Sequence, residues 1–213
     1  MKDTDLDFIH RFVPPNSNAK EAKLTLLLLH GTGGNEDDLI PLGKELAPNA
    51  SILSVRGKVL ENGMPRFFRR LEEGVFDMED LKIRTDELAE FIVKSSSAYM
   101  FDAESVIAVG YSNGANIAAS LLLRRPQVLA GAILFRAMVP FIPTVMPDLS
   151  KKSIILLEGL YDPIVTKGEA KSLLELFTKT QSSVTLKWQN SGHNLTQEDI
   201  IAAKKWLESN SIL

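Results

Sequence analysis

The sequence predicts one α/β domain over residues 1–213, built on a mostly parallel sheet with helices on both faces. Three observations predict it. Short apolar runs alternate with stretches of helical periodicity along the chain. Most of those runs are apolar almost throughout, as expected of strands covered on both sides. No internal repeat, low-complexity tract or composition break marks a second domain. The 213 residues, 45% hydrophobic and 24% charged, are ordinary for a single globular domain.

The elements follow in chain order. Asp7–Val13 reads as an edge strand that turns at Pro14-Pro15-Asn16-Ser17-Asn18. The clearest strands are Leu24–His30, Ser51–Val55, Ser105–Gly110, Ala130–Phe135, Ser153–Leu157 and Val184–Trp188. Between them lie amphipathic stretches at Asp38–Leu46, Thr85–Ser95, Ala115–Arg124, Gly168–Thr178 and Gln197–Ser209. In the last of these, Ile200, Ala203 and Leu207 fall at helical spacing, and Thr196 with Asp199 forms an N-terminal cap. Arg56–Leu81 fits neither pattern. It carries glycines, arginines and phenylalanines without sustained period, and a loop of that length usually has a functional task.

Bulk properties exclude several functions. A formal net charge of −3 gives no electrostatic reason to expect nucleic acid or an anionic membrane as partner. Without cysteine, disulfides, thiolate catalysis and cysteine-ligated metal are ruled out. The polar, acidic start is unlike a secretory signal, and Val128–Phe135, the longest apolar run, is too short to span a bilayer. A cytoplasmic protein without stable membrane insertion is therefore expected. Exposed apolar helix faces leave a homodimer open.

The chemistry-bearing residues begin with Gly110-Tyr111-Ser112-Asn113-Gly114. A serine hydroxyl attacks well only when a base removes its proton and the backbone projects it beside oxyanion donors. A Gly-x-Ser-x-Gly turn between strand and helix achieves this, its glycines letting the backbone close up. The bare pattern arises by chance in roughly 5–10% of chains of this length. Its context carries the argument: Val106–Val109 reads as a buried strand and Ala115–Leu121 as a helix. The competing reading is a glycine-rich turn that merely needs small residues.

A tetrahedral oxyanion needs fixed N–H donors. One is expected from the amide of Asn113. The other comes from the loop His30-Gly31-Thr32-Gly33-Gly34 after an apolar strand, with Thr32 as candidate. A phosphate-binding turn is disfavoured, because neither Gly-x-Gly-x-x-Gly nor a Gly-Lys-Ser/Thr ending is present. His30 is read as structural, holding the loop by hydrogen bonding. Of the three histidines, only His193 follows the chain order serine, acid, histidine. The orienting acid should lie at a strand end between Ser112 and His193. Asp162, in the turn after Ile154–Leu157, fits; Glu158 precedes that turn, and Asp148 would emerge at the wrong end of the sheet.

Taken together, Leu29–Gly34 with Asp38-Leu39, Gly110–Ala115, Gly159–Val165 and Gly192-His193 make the chain resemble the phospholipase/carboxylesterase family of α/β-hydrolases, which also contains acyl-protein thioesterases. These motifs spread in family order over nearly the whole chain. The resemblance implies an α/β-hydrolase fold without a cap domain and a Ser112–His193–Asp162 triad. Pro65-Arg66-Phe67-Phe68-Arg69-Arg70 and Phe135-Arg136-Ala137-Met138-Val139-Pro140 look closer to the bacterial carboxylesterase branch, which includes quinone-stress hydrolases. The family often has Gln after the nucleophile, where this chain has Asn113. The thioesterase branch's acyl-chain channel is not recognisable.

The expected activity is cleavage of a small-molecule carboxylic ester through an acyl-enzyme, with no metal or organic cofactor. Residues 56–81 should arch over the carboxyl ends of the strands, where ligands of open α/β sheets bind. Met64, Phe67, Phe68 and Phe76 would give an apolar wall, Met138 would line the same pocket, and Arg66, Arg69 and Arg136 could bind a carboxylate. Against this stands the ordinary reading of arginines paired with Glu72 or Glu73 and phenylalanines packed in the core. A thioester, lysophospholipid or ring lactone would suit the same triad. So would the shell of a non-catalytic hydrolase-like binding protein.

Overall fold

The computed structural model describes residues 6–15 and 24–210. The chain begins with strand β1 (His10–Val13), β2 (Thr25–Leu29), helix α1 (Ile40–Leu46) and β3 (Ser51–Val55). Two short ribbons follow, β4 (Val59–Glu61) with β5 (Met64–Arg66) and β6 (Arg70–Glu72) with β7 (Val75–Phe76). Then come α2 (Met78–Tyr99), a 3-10 turn at Ala103–Ser105, β8 (Val106–Tyr111) and α3 (Asn113–Arg124). The chain continues through β9 (Gly131–Phe135), β10 (Ser153–Gly159), α4 (Lys167–Lys179), β11 (Ser183–Gln189) and α5 (Gln197–Ser209).

Seven strands form one sheet in the order β1-β3-β2-β8-β9-β10-β11. Only β1 runs antiparallel, pairing Val13 with Ile52; it lies at the sheet edge, as expected, but spans His10–Val13 rather than Asp7–Val13. The connection from Asn16 to Asn18 lies outside the described residues. The period of two explains why the strands read as unbroken apolar runs. Leu27 and Leu29, Ala108, Leu134 and Leu156 face the core shared with α2, α3 and α4. Their neighbours Leu26 and Leu28, Val109, Phe135 and Leu157 face the opposite core, shared with α1 and α5. The central strands β2, β8 and β9 are buried on both faces, so almost no polar residue interrupts their pattern, whereas the edge strand β11 is only partly buried and carries Thr185, Lys187 and Gln189.

Two expectations are corrected. The helix expected at Thr85–Ser95 runs from Met78 to Tyr99, because Asp77 caps it by accepting the Asp80 amide and Met100, at φ 56°, ends it in the left-handed region. Residues 56–81 are not a structureless loop. Asn62-Gly63, both at positive φ, form the two-residue turn between β4 and β5, the Asn-Gly hairpin signature. Gly74, also at positive φ, closes the second ribbon.

Candidate active site

Ser112 sits between the end of β8 and the start of α3, at φ 53° and ψ −113°. That conformation is costly for a residue with a Cβ, of order 1–3 kcal/mol. The flanking glycines make the bend feasible. A Cβ on Gly110 would lie 2.6 Å from the Ala115 Cα and the Gly114 oxygen, and one on Gly114 would lie 2.0 Å from the Leu29 carbonyl oxygen. The Ser112 amide donates to the Phe135 carbonyl at 2.8 Å, fixing the turn to β9. Asn113 is the first residue of α3, so its amide lacks a partner within the helix.

The other two residues reach the same end of the sheet from β10 and β11. His193 Nε2 lies 3.0 Å from Ser112 Oγ, and His193 Nδ1 lies 2.7 Å from Asp162 Oδ2. An ionised carboxylate only accepts, so Nδ1 carries the proton and Nε2 is left to accept from the serine hydroxyl. The Asp162 side chain is fully buried. Its Oδ1 accepts the amides of Ile164 and Val165 at 2.7 and 3.0 Å, which locks the carboxylate in place. Glu158, the rival acid, is turned away. Its Oε1 accepts the Ala137 amide, and burial holds its carboxyl well above the usual range.

Arg136 holds the loop that carries His193. It is wholly buried, and its six hydrogen bonds spend every face of the guanidinium. Nε donates to the Gly192 carbonyl at 3.0 Å; Nη2 donates to the Asn194 carbonyl at 2.9 Å and Ser191 Oγ at 3.1 Å. The same group makes a two-pronged ion pair with buried Asp199, at 2.9 and 2.7 Å, and donates to the Leu157 carbonyl at 2.8 Å. Its expected role as a carboxylate binder is therefore corrected: no donor is free and no surface is exposed.

The Gly-rich loop after β2 is clamped by the first ribbon. The Gly33 amide donates to the Pro65 carbonyl at 2.9 Å, and Arg66 Nη1 donates to Thr32 Oγ1 at 2.7 Å. The Phe67 amide donates to Asn113 Oδ1 at 2.7 Å. One short segment thus touches both residues expected to supply oxyanion donors. His30 is structural, as its position suggested. The Gly57 amide donates to its Nε2 at 3.0 Å, so its proton sits on Nδ1 and points to the Gly31 carbonyl. Burial pushes its pKa down, which suits that neutral tautomer.

Ser112 and His193 open into a cavity of about 220 Å³ lined also by Thr32, Asn113, Arg66, Phe76 and Met138. Three further expectations are corrected. Phe67 and Phe68 are buried in the core beside α2 and α3, Phe67 packing on the His30 ring. Arg69 is mostly exposed and paired with Asp77 and Asp80, away from the cavity. The alternation of strand β5 and its exit turns these side chains inward or outward, which an irregular stretch does not reveal. Arg70 and Asn116 line the cavity and were not anticipated. Asn116 could have been found, since it stands four residues after Ser112 on one helix face; nothing in the sequence singled out Arg70.

A family model described as phospholipase/carboxylesterase matches residues 15–211. MhqD of Bacillus subtilis (strain 168) is 51% identical over 181 residues, covering 85% of this chain and 90% of that protein. The crystal structure of the Bacillus cereus carboxylesterase is 47% identical, with a TM-score of 0.91 over 95% of this chain and 94% of the other. A structure of YahD with malic acid is 31% identical, with a TM-score of 0.88 over 95% and 98% of the two chains.

Proposed function

The chain belongs to the phospholipase/carboxylesterase family of α/β-hydrolases, and on that premise we propose that it is a serine hydrolase of carboxylic esters. The observation that carries the reading is the unbroken line from Asp162 through His193 to Ser112, at 2.7 and 3.0 Å. Ser112 attacks the ester carbonyl while His193 Nε2 takes its proton. Asp162 holds the imidazole in the required tautomer and stabilises its charged form. The oxyanion is received by the Thr32 and Asn113 amides. His193 then protonates the leaving alcohol, and water repeats the sequence on the acyl-enzyme.

The cavity favours short substrates. At about 220 Å³ it lies below the ~300–1,000 Å³ usual for sites that enclose larger ligands, which argues against a lysophospholipid or a long-chain thioester. Malic acid in the related YahD structure supports a site for compact polar molecules. Ser112→Ala should keep its fold and lose hydrolysis of a short aryl ester by about 10⁴-fold or more, read by initial rates and circular dichroism. Activity retained in that variant would remove the serine mechanism.

A further inference from the structure

Two arginines, Arg66 and Arg70, line the same cavity as Ser112 and His193. They share one carboxylate. Glu61 Oε2 accepts from Arg66 Nη1 at 3.2 Å, and its Oε1 accepts from Arg70 Nε at 2.9 Å. Those bonds, that of Arg70 above all, hold the Glu61 carboxyl below its ordinary range, so it stays ionised. The trio still carries one uncompensated positive charge. Glu73 also lines the cavity, but it is exposed on the turn of the second ribbon. There, water and salt screen it, and it neutralises the buried cation poorly.

The donor geometry points the same way. Arg66 is nearly buried and anchored, with Nε on the Phe68 carbonyl and Nη1 on Thr32 and Glu61. Its Nη2 has no hydrogen-bond partner among the described residues. Arg70 is held only through Nε, and both of its terminal nitrogens are without a partner among the described residues. A guanidinium fixed at its stem, with a free flat edge of donors in a cavity, is arranged to take two oxygens side by side.

We propose that Arg66 and Arg70 form an anion subsite, and that the substrates are short esters bearing a free carboxylate. This rests on the serine-esterase reading and narrows it. The cavity is small enough that a carboxylate on Arg70 and an ester carbonyl at Ser112 belong to one compact molecule. Because Arg66 also grips Thr32, occupation of the subsite is coupled to the loop that receives the oxyanion.

The test compares charged and neutral esters within one enzyme, so that a general loss of activity cancels. The pairs are monoethyl against diethyl succinate and 4-acetoxybenzoate against its methyl ester, which place the carboxylate on the acyl side and on the leaving side. Wild type should prefer the charged member of at least one pair by tenfold or more in kcat/KM. That preference should shrink with added sodium chloride, vanish in Arg70→Gln and largely persist in Arg70→Lys. No preference in either pair, or a preference that survives Arg70→Gln, overturns the subsite while leaving the esterase intact. Hydrolysis of none of the four esters overturns the serine-esterase reading and the subsite with it.

Discussion

Arg136 shows how much a single side chain can organise. It follows β9 at φ 57°, and its guanidinium binds the carbonyls on both sides of His193. Its charge is answered by Asp199, and both groups are fully buried. Removing one member of such a pair leaves the other charge uncompensated in a low-dielectric interior, which costs about 3–5 kcal/mol. Arg136→Met should therefore lower stability in urea by roughly that amount. Some of the loss will appear in kcat as well, because the loop that places His193 loses three anchors. Asn113 is a second case. Its shorter side chain, where the family often carries Gln, reaches the Phe67 amide at 2.7 Å and so ties the nucleophile turn to the chain that clamps Thr32.

Among the elements, α5 connects the site to the core. It starts four residues after His193 and carries a complete capping box, in which Thr196 Oγ1 accepts the Asp199 amide while Asp199 Oδ2 accepts the Thr196 amide. Asp199 thus serves the helix start and the ion pair with Arg136 at once. Thr196→Ala should cost about 1 kcal/mol in chemical denaturation. The loss should stay well below that of Arg136→Met, since the ion pair survives. The ribbon of β4 and β5 is the other decisive element. Its Asn62-Gly63 turn aims β5 back at the Gly-rich loop, so that Pro65 and Arg66 meet Gly33 and Thr32.

For the whole molecule, the buried titratable groups set how stability depends on pH. Burial raises the Glu158 pKa well above 4.5, with the nearby Asp162 and Asp199 charges adding to it and the Ala137 amide and Arg136 opposing. Above the ordinary carboxylate range the unfolded chain has shed this proton while the folded chain keeps it. Folding then takes up a proton, and stability falls as pH rises through that window. Glu158→Gln removes the linkage and can still accept the Ala137 amide. Its thermal midpoint should exceed that of wild type by more at pH 8 than at pH 5, in scanning calorimetry across a pH series. An equal offset at both values would contradict the buried neutral acid. His30 acts on the acid side. Its folded pKa is depressed below 6.5 by burial, so the unfolded imidazole gains a proton the folded one refuses, and stability drops as pH falls through that value.

The sequence made the sheet legible, because central strands buried on both faces are apolar at almost every position; Ser51–Val55, despite its two serines, and Gln197–Ser209 agree with the structure to the residue. It also determined which residues stand in the line from Asp162 to Ser112, since motif context and chain order follow from where strands end. Which side chains face the cavity was set by tertiary packing. Arg66, Phe67, Phe68, Arg69 and Arg70 are consecutive and chemically similar in pairs, yet two face the site, two enter the core and one meets solvent. Arg136, expected to bind a carboxylate, is wholly buried and braces the loop that bears His193. Composition carries no record of such choices, because they depend on ribbon register and on which carbonyls and carboxylates, far away in the chain, arrive to receive each donor.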